Sequence, residues 1–268
     1  MKEKEKDMGR LDDLLRGGRE ALEMGDYRRA VRDLREAVDL APQTTEAWQW
    51  LGEALVEDGQ IKAGIEALEK AREQAPDDLD ILFALGDARF ENHDITGALV
   101  TYQAILDGNP EEADAWVSMG LVHFHQDRID DAVECYQKAL KVDPESVFAL
   151  NSLGDARFAR GEEQEALACY RQALELDPED AQAHYNLAEM YYDTGDLAAA
   201  EKACREALRH DPGHAFACLT LGNIFLDQDQ PHEALHFFQE FLLRERSEAA
   251  REIRDEVAAV VEGLKAEL

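Results

Sequence analysis

Residues 113–144 read ADAWVSMGLVHFHQDRIDDAVECYQKALKVDP, and the same skeleton of large, small and proline positions returns every 34 residues on either side. Six of the seven prolines, Pro42, Pro76, Pro110, Pro144, Pro178 and Pro212, keep that interval. A small residue keeps it at Gly18, Gly52, Gly86, Gly120, Gly154, Ala188 and Gly222, and a second at Ala30, Gly64, Ala98, Ala132, Ala166, Ala200 and Ala234. A fixed period of this size means a stack of units that bury their apolar faces against neighbours, not a globule.

The residue types explain the unit. Apolar residues at i, i+3, i+4 and i+7 in each half predict two amphipathic helices per repeat. Glycine or alanine where the helices cross lets the backbones approach, while large residues such as Leu51, Leu85, Tyr136 and Tyr170 fill the grooves alongside. Gly25, Gly59, Gly161 and Gly195 mark the turn between the helices, with His93-Asp94, Asp127-Arg128 and Asp229 in the remaining repeats. Each periodic proline ends a second helix. Pro231 falls instead in the first turn of a helix, where a missing N–H costs nothing.

Trp48–Leu51–Gly52…Leu68…Pro76 and Trp116–Met119–Gly120…Ala132–Tyr136–Ala139…Pro144 follow the W-x2-L-G-x2-Y…A-x3-F…P pattern. Over residues 11–246 the chain thereby resembles the tetratricopeptide repeat family. The resemblance implies an all-α, right-handed superhelical α-solenoid of seven helix pairs at 11–44, 45–78, 79–112, 113–146, 147–180, 181–214 and 215–246. Residues 1–10 are a charged extension, expected to fray. Residues 247–268 are expected to form a capping helix, with Ser247 as N-cap and Ile253, Val257, Val260, Val261 and Leu264 on its apolar face. Phe241 departs from the pattern where a small residue is expected.

Composition narrows the function. With 59 acidic against 28 basic residues and a formal net charge of -31, the surface repels phosphate backbones and anionic membranes. No apolar run approaches the roughly 18 residues needed to span a bilayer, and the start, MKEKEKDMGR, has no apolar signal segment. A cytoplasmic location is expected. Cys135, Cys169, Cys204 and Cys218 sit at packing positions and read as reduced core residues. No phosphate loop, nucleophile elbow, zinc-ligand set or dinucleotide fingerprint occurs, so neither an enzyme nor a cofactor is expected. His232 and His236 are spaced i, i+4 but lack a third ligand in the sequence, His123 and His125 point apart, and His210 and His214 read as loop residues. No metal site is assigned.

The resemblance also implies where a partner binds. In this family the first helix of each repeat lines a concave groove through its positions 2, 5, 9, 12 and 13. Position 9 supplies Glu53, Asp87, Asp155, Glu189 and Asn223, position 5 supplies Phe83, Asn151 and Tyr185, and position 12 supplies Phe90, Phe124, Phe158 and Tyr192. The expected groove is an aromatic stripe flanked by carboxylates. One reading makes the acids a solvated face and the aromatics packing residues. The other makes the groove a site for a basic, partly apolar peptide or helix of another protein, steered by charge and anchored on rings. The second is favoured, because aromatics on an inner surface otherwise form an exposed apolar patch. The lysine, asparagine and arginine set with which some relatives grip a C-terminal carboxylate is missing. The expected function is a protein-interaction scaffold. An assembly or secretion chaperone, or a regulatory subunit of an enzyme complex, remains an alternative, and self-association through the edge of the stack stays open. LGDARF occurs twice, at 85–90 and 153–158, and its Arg89 and Arg157 are expected to lie along apolar surface beside a carboxylate.

Overall fold

The computed structural model describes residues 2–247 and 249–268, with side chains from residue 7 onward. The described residues form fifteen helices and no strand. They divide into two compact units, Met1–Asp127 and Arg128–Leu268. The first holds α1 (Lys2–Glu23), α2 (Tyr27–Leu40), α3 (Thr45–Glu57), α4 (Ile61–Gln74), α5 (Leu79–Glu91), α6 (Ile95–Gly108) and α7 (Ala113–His125). The second holds α8 (Ile129–Val142), α9 (Val147–Ala159), α10 (Glu163–Leu176), α11 (Ala181–Asp193), α12 (Leu197–His210), α13 (Ala215–Asp227), α14 (Pro231–Arg244) and α15 (Arg251–Glu267). The charged residues expected to fray before the first repeat belong to α1, which starts at Lys2. Among the described residues, no helix is long and apolar enough to cross a membrane.

Inside each unit, successive first helices touch directly: α1 on α3 and α3 on α5, then α9 on α11 and α11 on α13. Each second helix meets the next repeat through that repeat's first helix, as α2 does with α3 and α12 with α13. The first helices therefore form the inner layer of each unit.

The close approach between a first helix and its own second helix sets the spacing. A β-carbon added to Gly86 or Gly154 would fall under 3.0 Å from the ring of Tyr102 or Tyr170, sixteen residues on. Gly222 meets Phe238 in the same way, Gly52 meets Leu68 and Gly18 meets Leu34. These large partners are all essentially fully buried. The sixth repeat carries Ala188 at the glycine position, and its partner position holds the small Cys204, both fully buried. Where the first residue carries a β-carbon, the facing residue is smaller.

Turns and caps close each unit locally. Gly25, Gly59, Gly161 and Gly195 all have positive φ, and where the sequence lacks glycine His93, Asp127 and Asp229 take the left-handed conformation themselves at φ 60, 56 and 57. That geometry is unfavourable for a side chain bearing a β-carbon, and Asp tolerates it better than most. Carboxylates of Asp26, Asp94 and Asp196 accept from backbone N–H groups at the start of α2, α6 and α12. At the joints between repeats, Trp48 and Trp116 donate their indole N–H to the carbonyls of Pro42 and Pro110 at 2.8 and 3.1 Å. Arg244 Nε makes the matching bond to Pro212 at 2.9 Å where Cys218 has replaced the ring.

At the C-terminal end, Phe241 is fully buried and packs edge-on to Phe216 at 5.7 Å, in a cluster that includes Val257, Val261 and Leu264 of α15. A large residue suits this position because α15, not another repeat, covers it. The helix begins later than expected, at Arg251 after Ala250. Ser247 Oγ instead accepts the N–H of Ala250 at 3.2 Å, in the turn before the helix. Ile253 and Val260, expected on the apolar face, are exposed at 38% and 39%, because the helix buries a stripe only as wide as Val257, Val261 and Leu264. All four cysteines are buried free thiols.

Gly154→Ala is expected to cost about 1–3 kcal/mol through overpacking, read as a lower thermal midpoint by circular dichroism. The penalty should shrink in a Tyr170→Ala background, where the side chain that meets the added β-carbon is gone. An equal penalty in both backgrounds would remove the contact from the account.

Candidate binding surface

In the first unit, α3 and α5 lie side by side on the inner layer. Position 9 of each faces the seam between them, and one turn further on comes position 13. The result is a cleft of about 240 Å³ walled by Glu53, Glu57, Asp87 and Glu91, with Val56, Leu68, Ala84 and Ala88 as its apolar lining. Glu53 and Asp87 were expected at such a surface. Glu57 and Glu91, at the groove-lining position 13, join them because the next turn of each helix reaches the same seam.

The carboxylates are held rather than loose. Gln49 Nε2 donates to Glu53 Oε1 at 3.0 Å, and the Tyr102 hydroxyl donates to Asp87 Oδ1 at 2.5 Å. Burial raises the pKa of Glu53, with Asp80 adding to the rise and the Gln49 bond opposing it. Burial likewise raises Asp87, against the pull of the Tyr102 bond. Glu57 in turn raises the Tyr27 phenol by its charge and hydrogen bond. Among the described residues, no ion pair reaches any of the four acids. Phe83 and Phe90, one turn either side of Asp87, are half-buried; Phe83 lies 6.4 Å from the Tyr102 ring and Phe90 5.4 Å from that of His125. Phe124, on α7, is half-buried with its ring edge-on to His125.

The second unit repeats the device with more of its polar groups absorbed by the fold. Tyr170 donates to Asp155 Oδ1 at 2.7 Å, the counterpart of the Tyr102–Asp87 bond. Burial pushes Asp155 up to about 6, the Tyr170 bond opposing it. Glu189 accepts from Thr220 at 2.6 Å and Tyr192 donates to Asp227 at 2.9 Å. Tyr185 packs on the His214 ring at 4.6 Å, Phe158 lies half-buried against the core, and Asn223 is half-buried. Asn151 is not part of an accessible groove. It is buried, and its amide donates to Asp180 at 2.6 Å, tying the start of α11 to α9. A position-5 side chain falls inward there because its partner carboxylate sits at the next helix's N-cap.

The two LGDARF copies differ in their surroundings. Arg89 pairs with Glu69 and donates to Thr101 Oγ1 at 2.5 Å. Arg157 instead lies beside the Cys169 thiol, and its Nε has no hydrogen-bond partner. Gln137 and Cys169 stand where the first copy has Glu69 and Thr101.

A family model described as the cilia and flagella-associated protein 70 C-terminal domain, a tetratricopeptide-repeat family, matches residues 13–215. The chain belongs to this family. Among solved structures, it is similar to a tetratricopeptide repeat protein from Parabacteroides merdae, with 19% identity, a TM-score of 0.79, and coverage of 95% of this chain and 99% of that one. Yeast Tom70 gives a TM-score of 0.76 at 16% identity over 96% of this chain and 54% of its own, so the chain spans about half of Tom70. MamA is 27% identical with a TM-score of 0.54, over 62% of this chain and 96% of that one. No curated protein matches the chain. The tetratricopeptide reading and its all-α repeat architecture hold, and a stack of this kind presents extended helix faces suited to binding other proteins.

A carboxyl whose pKa is raised on folding contributes stability below its unfolded value that is lost as pH rises through the folded one. For Asp155 that window runs from the ordinary 3.8 to about 6. Asp155→Asn, whose amide oxygen still accepts from Tyr170, should stabilise the chain at pH above about 7 by about 1–3 kcal/mol. Relative to wild type the gain should vanish below about pH 4. Thermal midpoints at the two ends of this range check it, and a gain independent of pH would rule out the titration.

Proposed function

We propose that the chain is a protein-interaction scaffold whose first unit takes a basic, partly apolar segment of another protein. The observation that carries this is the cleft between α3 and α5. Its four carboxylates stand without a cation among the described residues, and burial opposes the charge of two of them. A lysine or arginine entering the cleft supplies the missing counter-charge, lays its methylene stem on Val56, Leu68, Ala84 and Ala88, and returns Glu53 and Asp87 toward ordinary carboxylate behaviour. Phe83 and Phe90 flank Asp87 on α5 and offer ring surface to apolar neighbours of that cation. The net charge of -31 draws such a segment in from a distance. Nothing in this chemistry calls for nucleic acid, a cofactor or a catalytic group.

A fluorescein-labelled peptide alternating lysine with leucine serves as probe, followed by anisotropy. Its affinity should fall at least tenfold between low salt and about 0.5 M salt, where the Debye length drops well below the cleft's dimensions. Glu53→Gln with Asp87→Asn keeps both hydrogen bonds in outline and should weaken binding about tenfold at low salt. The matched pair Asp107→Asn with Glu111→Gln, outside the cleft, should leave it within twofold. Equal losses from the two pairs would reduce the effect to bulk charge and remove the cleft as the site.

A further inference from the structure

We propose that His184, Glu206 and His210 in the second unit form a binding site for a divalent transition-metal ion, of the zinc, nickel or copper kind. One ligand atom from each residue lies within 4.8 Å of the other two. Glu206 and His210 are spaced i, i+4 in the last turn of α12, and His184 stands in the first turn of α11 beside them. The two imidazole rings stack at 5.5 Å, only 3° from parallel.

The hydrogen bonds leave the right atoms with lone pairs. His184 Nε2 lies 3.1 Å from the Pro178 carbonyl oxygen, which can only accept, so that nitrogen carries the proton and the other is free to coordinate. Metal-ligating histidines are commonly oriented by such a bond to a backbone carbonyl. His210 Nε2 lies 2.7 Å from Arg209 Nη2, which can only donate, so it is an acceptor. The same Nη2 sits 2.8 Å from Glu206 Oε2. A cationic N–H group thus already occupies the point where an imidazole lone pair and a carboxylate converge. Arg209 is 65% exposed and can swing into solvent. The carbonyl end of α12 adds negative potential at the same place.

The position of His184 strengthens the case. Trp48 and Trp116 occupy it in two other repeats, and their indoles make the same bond to the preceding proline carbonyl. Histidine preserves that joint and adds a coordinating nitrogen that tryptophan lacks. A tetrahedral ion with bonds of about 2.0–2.1 Å needs its ligand atoms about 3.3 Å apart. The lone pairs of two nearly parallel rings do not converge, so binding requires one imidazole to rotate about its side-chain torsions until the trio closes to that spacing. Three protein ligands leave one position for water or for a side chain of a bound partner.

The test is calorimetric titration of the full chain with zinc chloride, with cobalt(II) absorption as a spectroscopic readout of ligand number and geometry. One ion per chain is expected. His184→Ala and His210→Ala should each weaken binding at least tenfold and abolish the tetrahedral cobalt bands, with helicity unchanged. Arg209→Ala should tighten binding several-fold by removing the resident cation. His232→Ala with His236→Ala, the other i, i+4 pair, should change nothing. Unaltered affinity in His184→Ala or His210→Ala, weaker binding in Arg209→Ala, or loss in the His232 and His236 control would overturn the site.

Discussion

Backbone contact between the two helices of a repeat is the constraint on which everything else rests. A missing side chain at Gly86, Gly154 or Gly222 lets a whole aromatic ring from the second helix lie against the first helix's backbone. The ring then becomes the repeat's central core residue. Where Ala188 fills that space, the ring shrinks to Cys204. The two positions are chosen together, and the period of the sequence is the period of that contact.

The same rings link the core to the inner surface. Tyr102 and Tyr170 are buried, yet their hydroxyls emerge on the inner layer to hold Asp87 and Asp155. A carboxylate so held is fixed in place, and Asp155 is half-buried besides; a fixed carboxylate suits a group that must meet an incoming cation. In the seventh repeat both partners of this bond are missing: Phe238 has no hydroxyl, and Asn223 stands at the corresponding position instead of an acid.

The architecture was legible because it is written in size and period. The proline beat, the small positions and the turn glycines each have a steric cause that acts within one repeat. The left-handed turns at His93, Asp127 and Asp229 could be placed by period alone, despite lacking glycine. The surface was legible only in part. Position counting found Glu53 and Asp87 but could not tell that Asn151 turns inward to Asp180, because that depends on a carboxylate 29 residues away. It left His184 apart from Glu206 and His210 for the same reason. Their meeting is a product of packing between α11 and α12. The width of the apolar stripe on α15 was overestimated, since periodicity gives the face of a helix and not how much of it a neighbour covers.

The distribution of two rare residue types has a practical sequel. All three tryptophans, Trp48, Trp50 and Trp116, belong to the first unit, and all four cysteines belong to the second. The thiols are shielded, and burial pushes Cys135 up to about 11 and Cys204 up to about 12, so an alkylating reagent finds almost no thiolate until the surrounding helices part. Indole emission therefore reports on one half of the molecule and the rate of thiol labelling on the other. Nature has supplied two separate probes of local opening in a single unmodified polypeptide.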